Sequence, residues 1–367
     1  MTILTGIYPP DSGGPATFAV TFSDFARSLG LNTKVISFAD GSTSLHRDGG
    51  HEVKLISRTL GLFRRTLFAI FEILHTFFRG SSVIANGLFV ETYIAAVLSG
   101  RTYVAKVPGD IVWERANNSG ITQLDVREFQ NEKLNWRYKL FRFLFTRSLT
   151  RAKAVIVPSP LLLELCLSWG ISKDKVHLIY NSVDVNFFSP LESSEVPWDC
   201  IVVNRLVGLK NVDEVIRACH SKQLSLLVVG DGPEMSNLVK LRDQLGSVVT
   251  FTGNSSTSET RTYLQSAKIY ILNSTVDATA YSLLEARSSG LIAVANIKTG
   301  ASEVIRHKTD GFLTNSTDSA ELEKALDWIV TQSPTTQKRM QQNARESTVQ
   351  LFNKDVNFAN ILELVVR

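Results

Sequence analysis

The chain has 367 residues, of which 44% are hydrophobic and 20% charged, and a net charge of +4. That length is too great for one ordinary core and fits two domains, and the composition is that of a folded globular protein. A charge this mild, with basic residues not massed in one tract, does not argue for nucleic acid, and no nucleic-acid partner is expected.

From Met1 the sequence runs straight into the apolar segment TILTGIY, without the basic start and small-residue cleavage site of a signal peptide. β-Branched runs predict strands at 3–7, 33–38, 52–56, 82–85, 103–107, 154–157 and 176–179. A second series is predicted at 200–203, 225–229, 248–252, 268–272 and 292–295. Helical patterns fit between them, for example at 14–29, 90–98, 212–220 and 282–288. This alternation predicts βαβ units and parallel sheets, hence two doubly wound, Rossmann-like α/β domains. Ligands of such folds bind at the carboxyl ends of the strands, so the expected site is a central cleft faced by both domains. The stretch FFSPLESSEVPW at 187–198 holds two prolines, three serines and two glutamates, and is the expected linker. No apolar run approaches the length of a spanning helix, and the nearest candidate, 66–78, is interrupted by Glu72 and His75. Cys166, Cys200 and Cys219 form no close pair in the sequence and read as reduced thiols of a cytosolic protein.

Four charges in the second half stand out. After the strand CIVV comes Asn204-Arg205-Leu206-Val207-Gly208-Leu209-Lys210, with a helical pattern from Asn211. An Arg at a strand end and a Lys at the mouth of a helix can clamp a diphosphate through charge-assisted hydrogen bonds. The alternative is a solvated basic turn. The next strand ends in Val229-Gly230-Asp231-Gly232-Pro233, where glycines permit a tight turn and close backbone approach. The strand ending at Leu272 runs into a loop of small residues containing Asp277, then a helix carrying Glu285. The Glu285 carboxylate can accept two hydrogen bonds from a ribose diol, and Asp277 can reach sugar hydroxyls.

The segments NRLVGLKN, VVGDGP, VTFTGN, YILNSTVDATAYSLLEA and ASEVIRHKTDGFL together resemble the C-terminal half of the retaining glycosyltransferases of family 4, which have the GT-B fold. Tyr180-Asn181-Ser182-Val183-Asp184 is similar to the family's NGVD segment, and Pro10-Asp11-Ser12-Gly13-Gly14-Pro15 to its N-terminal glycine-rich loop. The resemblance implies that Arg205 and Lys210 hold the donor diphosphate and Glu285 the ribose. It places Asp277 beside the transferred sugar, where the family has Glu. Gly13 and Gly14 are expected to present backbone amides to the leaving diphosphate from the opposite domain. Gly230, Gly253, Asn254, Ala280, Tyr281 and Ser282 are expected around the donor, with base selection near Gly253 and Asn254. The sequence departs from the pattern at Asp277, at Ala278 and Ala280 in place of glycines, and at Ser182 in place of Gly.

The family's His at an N-terminal strand end is absent, and Asp110 stands at the comparable place, with Lys106 and Glu114 nearby. Asp110 is expected either to contact sugar or acceptor hydroxyls, as a catalytic residue, or to cap a helix. None of the six histidines sits in a catalytic context. The expected division is therefore 1–190 as an acceptor-binding domain, 191–345 as a nucleotide-sugar-binding domain, and 346–367 as a helix returning to the first. The implied reaction is a retaining transfer from a nucleotide diphosphate sugar to a glycan or lipid-linked acceptor. No cofactor is expected beyond the donor, and no Asp-x-Asp motif follows a strand, so no metal is expected.

Two stretches mix aromatic and basic residues, 58–79 (RTLGLFRRTLFAIFEILHTFFR) and 131–153 (NEKLNWRYKLFRFLFTRSLTRAK). Each is either an amphipathic helix lying on an anionic membrane or an ordinary helix with its apolar face in the core. A cytoplasmic protein is expected, and on the first reading one in peripheral contact with the inner face of a membrane. Two other functions remain open, a non-catalytic nucleotide-sugar binder and a Rossmann-type oxidoreductase. The latter needs a GxGxxG turn that PPDSGGPA does not supply.

Overall fold

The computed structural model describes all residues except Ser12, 192–195, Val276 and Ala278, so part of the expected linker and Ala278 lie outside it. The chain forms two compact units, Met1–Tyr180 with Asp355–Arg367, and Asn181–Lys354.

In the first unit eight strands form one sheet: β1 (Thr2–Thr5), β2 (Lys34–Ala39), β3 (Ser44–Asp48), β4 (His51–Ser57), β5 (Val83–Asn86), β6 (Val104–Lys106), β7 (Ala154–Val157) and β8 (Val176–Leu178). Their order is β3-β4-β2-β1-β5-β6-β7-β8. Central β1 pairs in parallel on both sides, Ile3 opposite Val35 and Ile84, and every residue of it is buried. Burial of all four residues, the two threonines included, follows from helices covering both faces of the sheet. Strand β3 was not expected. Its sequence SLHRD is polar and mostly exposed, and it pairs antiparallel to β4 at the sheet edge, where no apolar pattern is required.

The second unit has a fully parallel sheet of six strands: β9 (Trp198–Val203), β10 (Leu226–Val229), β11 (Val249–Gly253), β12 (Ala267–Leu272), β13 (Ile292–Asn296) and β14 (Gly311–Thr314). The order is β11-β10-β9-β12-β13-β14. Strand β14 was also not expected. One face of this sheet packs through Cys200, Val202, Val228 and Ile271 against the helices Val212–Ser221 and Ser319–Val330.

The boundary falls after Tyr180, about ten residues before the expected 190. Residues 181–190 are tied into the second unit by long-range bonds. The Val183 N–H donates to Phe352 O (2.8 Å), the Lys354 N–H to Val183 O (3.0 Å), and Arg345 to the carbonyls of Val185 (2.7 Å) and Phe188 (2.9 Å). The proline-rich stretch is thus not the crossing. The return also comes later than residue 346, because the helix Pro334–Leu351 stays with the second unit. Only the helix Lys354–Val366 lies with the first unit. There Phe358 packs edge-on against Phe18 (5.9 Å) and Phe22 (5.2 Å), with Ile361 and Val365 buried beside it.

Candidate functional site

In the second sheet the chain winds from β9 outward through β10 to β11, and from β12 in the other direction through β13 to β14. Strands β9 and β12 are therefore neighbours at the point where the winding reverses, the place where open α/β sheets leave a crevice at the carboxyl ends. The loop after β9 carries Arg205 and Lys210, and the loop after β12 carries Asp277.

These two loops are sewn together. Gly208–Lys210 is a single 3₁₀ turn, and Asn211 adopts a left-handed conformation (φ 44°) at the N-cap of the helix Val212–Ser221. Asn tolerates that conformation better than most residues. Its side-chain amide donates to Asn273 O and Thr275 Oγ1, both at 2.9 Å, while Asn273 Nδ2 donates back to Asn211 O (3.3 Å). The Thr275 N–H adds a bond to Leu209 O (2.9 Å). Asn211 and Asn273 were not singled out from sequence, although an Asn just before a helix is a recognisable capping signal.

Across this seam the Lys210 ammonium lies 2.5 Å from Asp277 Oδ2, which also accepts from Ser274 Oγ (3.2 Å). Both side chains are mostly covered, 20% and 15% exposed. Arg205 is exposed, and its guanidinium makes no hydrogen bond or ion pair among the described residues. One cation is thus locally neutralised, and a second on the same loop is free to meet an anion.

Glu285 is the fifth residue of the helix Tyr281–Ser288. Burial pushes its carboxyl up to about 7, and no hydrogen bond or ion pair engages it among the described residues. The Tyr281 hydroxyl is pushed up by burial and then by Glu285. Ser282 Oγ is already engaged with Tyr270 Oη at 2.7 Å. Ala280 occupies the N-cap and its methyl cannot cap the first turn; the Leu283 N–H turns to Ala280 O (3.2 Å), while among the described residues the Tyr281 and Ser282 amides have no partner and can meet an anion at the positive end of the helix.

The glycines after β10 serve the backbone. A Cβ at Gly230 would come within 1.9 Å of Asn204 O, and one at Gly232 within 2.3 Å of Leu206 O. The space is filled by the β9 loop, which receives the bond from the Glu234 N–H to Leu206 O (3.1 Å) and donates from its Leu206 N–H to Asp231 O (2.9 Å). Gly230 is better described as the brace of the Arg205 loop than as a residue presented to ligand. Gly253, by contrast, has φ 72° with open space where a side chain would stand, and Asn254 beside it is exposed.

Gly13, Gly14 and Asp110 belong to the other unit. Gly13 (φ 152°) is the N-cap and Gly14 the first residue of the helix Gly14–Ser28, and both are exposed. Asp110 departs from the catalytic expectation. Its Oδ1 accepts from the Val112 and Trp113 amides (3.0 and 3.2 Å), capping the helix Ile111–Asn118, and its Oδ2 accepts from Gln130 (3.0 Å) and Arg142 (3.2 Å). A fully covered carboxylate with both oxygens occupied has nothing left for a substrate. Lys106 is buried over the Phe18 ring at 4.5 Å, and burial lowers its amine to about 8. At the carboxyl ends of β1, β2, β5 and β6 this unit holds a cavity of about 620 Å³, whose charged walls are Arg58, Arg65, Glu91, Glu114 and Arg115. Burial, and then Asp110, push the Glu114 carboxyl up.

Two family models match complementary parts of the chain: "Glycosyltransferase Family 4" over residues 12–187 and "Glycosyl transferases group 1" over residues 185–347. Among curated proteins, a phosphatidylinositol N-acetylglucosaminyltransferase component of Arabidopsis thaliana is 30% identical over 175 residues, 45% of this chain and 39% of that protein. The lipopolysaccharide core biosynthesis glycosyltransferase LpsD of Rhizobium meliloti is 30% identical over 140 residues, 36% of this chain and 40% of its own. The chain thus spans about two fifths of the length of these two curated relatives. Among solved structures, Anabaena HepE in complex with UDP superposes with a TM-score of 0.78 at 18% identity, covering 100% of this chain and 99% of that one. Sucrose-phosphate synthase of Thermosynechococcus elongatus gives 0.77 at 16% identity, covering 99% and 97%.

Proposed function

Because the chain belongs to the family 4, group 1 glycosyltransferases of GT-B fold, we propose that it moves a sugar from a nucleotide diphosphate donor to a glycan or lipid-linked acceptor. The observation that carries this reading is the junction of the β9 and β12 loops, which brings a free Arg205, a Lys210 held by Asp277 and the helix start at Ala280 to a site where Glu285 has no partner among the described residues. That set suits a diphosphate joined to a ribose diol: cations and helix amides for the phosphates, a carboxylate for the two hydroxyls. Related structures hold UDP and UDP-glucose, which makes uridine the first base to test. The acceptor side is the cavity of the first unit, with its arginine and glutamate walls.

The transfer proposed is retaining. The acceptor oxygen forms its bond to the anomeric carbon on the face from which the diphosphate departs, and the acceptor proton leaves with the departing phosphate oxygen. Arg205 and Lys210 neutralise the charge that builds on that oxygen, and Asp277 stands at the sugar end of the diphosphate. The task a metal ion would perform is assigned to these cations, so EDTA is expected to leave turnover unchanged.

The reading is tested by melting the protein with UDP, GDP and ADP. One of them is expected to raise the melting temperature, with a stabilisation of ~2.7 kcal/mol at a hundredfold excess over Kd. No shift with any of the three overturns the donor assignment. Release of the nucleotide from its sugar conjugate, only in the presence of an acceptor glycan or glycolipid extract, then separates an enzyme from a binder.

Glu285 makes this binding depend on pH. Its folded-state pKa, about 7, lies above its ordinary value, so its contribution to stability is full below the unfolded value and is lost as pH rises through 7. A ribose diol needs the carboxylate, so nucleotide binding favours deprotonation. Affinity is expected to rise from pH 6 to pH 8 and then level off, with a proton released on binding. Calorimetry in two buffers of different ionisation enthalpy checks this, and Glu285→Gln is expected to weaken binding and flatten the pH profile.

A further inference from the structure

The helix Leu62–Phe78 has an apolar arc wider than the face it buries. Ala69, Ile70, Ile73 and Phe77 are buried against the sheet, yet Phe63, Leu67, Phe71 and Phe78 form a second stripe that is 75, 50, 66 and 72% exposed. Scattered apolar residues on a surface are ordinary, but a contiguous exposed apolar stripe marks an interaction surface. The helix Phe89–Ser99 packs beside it and ends in exposed Val97 and Leu98, and the helix Trp136–Arg151 packs beside that one. The third helix exposes Trp136, Leu140 and Phe143 on the stripe that continues to Arg147 and Arg151.

The three helices share one core cluster, so they cover the same face of the first sheet. Trp136–Arg151 carries Arg137, Lys139, Arg142, Arg147 and Arg151 and no acidic residue. Of these, Arg142 turns inward to Asp110, while Arg137, Lys139, Arg147 and Arg151 are exposed. Arg64 and Arg79 flank the first stripe. Glu72, the one acid of Leu62–Phe78, lies near Lys34 (3.7 Å) and Lys54 (3.5 Å). Among the described residues no helix is long and apolar enough to cross a bilayer, so this face can lie on one but not span it.

We propose that the outward face of these three helices docks on an anionic lipid bilayer, with Phe63, Leu67, Phe71, Trp136 and Phe143 entering the interface and the arginines and Lys139 meeting the headgroups. Charge selects this occupant: bulky apolar side chains interleaved with cations, and nearly no acid, match a negatively charged amphiphilic surface. The docking stands apart from the donor assignment, since it needs no nucleotide.

The test is co-sedimentation of the purified chain with vesicles of phosphatidylcholine, with and without phosphatidylglycerol, at low and high salt. Binding is expected to the anionic vesicles alone and to weaken with salt. Phe63→Ser with Phe71→Ser, and separately Arg137→Glu with Arg147→Glu, are expected to lower the partition coefficient on the order of tenfold or more, at an unchanged melting temperature. Absence of binding at low salt, equal binding to neutral vesicles, or unaltered binding by both variants overturns the proposal. So does a dimer in sedimentation velocity that Phe71→Ser dissolves, because the face is then covered by a second copy.

Discussion

Replacing Lys210 by Ala is expected to lower kcat/KM by about 10²- to 10³-fold, the usual cost of removing one preorganised group that stabilises a developing charge. In the absence of ligand Lys210 is neutralised by Asp277 at 2.5 Å, so an incoming diphosphate has to compete for the ammonium. Two consequences separate the partners. Lys210→Ala weakens nucleotide binding as well as turnover. Asp277→Asn releases the ammonium, so affinity for the nucleoside diphosphate is expected to rise while transfer falls. Steady-state kinetics with the donor, paired with calorimetry on the free nucleotide, measures both. Full turnover in Lys210→Ala removes Lys210 from the clamp, and weaker nucleotide binding in Asp277→Asn removes the competition.

The second large effect concerns stability. Arg287 is fully buried and donates to the Asp310 carbonyl (2.8 Å), to Asp310 Oδ1 (3.2 Å) and to Ser347 Oγ (2.8 Å). Asp310, equally buried, also accepts from the Arg306 amide (2.8 Å) and from Arg306 Nε (2.7 Å). Burial pulls the Arg287 guanidinium down, and the facing carboxylate opposes that pull. Asp310→Ala leaves a buried guanidinium without its anion and is expected to cost about 3–5 kcal/mol, roughly 10 °C in melting temperature. Replacing both partners by apolar residues, Arg287→Met with Asp310→Leu, is expected to return most of that loss. Urea unfolding of the single and double variants checks the sign and the size. A loss under about 1 kcal/mol for Asp310→Ala shows that the pair is hydrated.

This pair also marks where sequence reasoning ran out. Each strand predicted from a β-branched run has a counterpart in the sheets, because a buried parallel strand needs those residues locally. The strands that were missed lie at sheet edges and carry a weak signal: SLHRD is polar and exposed, and Gly311–Thr314, although buried, is four residues long with Thr314 as its one β-branched residue. Arg287 sits in EARSS, a segment that reads only as helix, and nothing nearby in sequence announces that its side chain turns into the core to meet Asp310. The boundary after Tyr180 was hidden for the same reason. It is set by Arg345 and Phe352, far downstream in the chain.

Within the candidate site, the charged residues and the glycines stood out in the sequence, and the partners the structure gives them did not. Lys210 and Asp277 stood out separately, while their contact depends on Asn211 and Asn273 holding two loops together. Gly230 drew notice as a glycine, but its use became visible only with the Asn204 carbonyl in place beside it. Asp110 offered two readings of equal merit from sequence, and the caps on Val112 and Trp113 decide for the helix.

The helices Leu62–Phe78 and Trp136–Arg151 each have two duties. Leu62, Arg65 and Thr66 on one, and Phe141 and Leu144 on the other, wall the cavity of about 620 Å³, while other positions of the same helices carry the exposed aromatic and basic side chains. Under the proposed docking, the cavity shares its walls with the lipid surface, so an acceptor embedded in that surface reaches it by lateral diffusion in two dimensions. Transfer then follows the acceptor's mole fraction in the membrane rather than its bulk concentration, and inert lipid added to the vesicles slows the reaction by surface dilution at constant total acceptor.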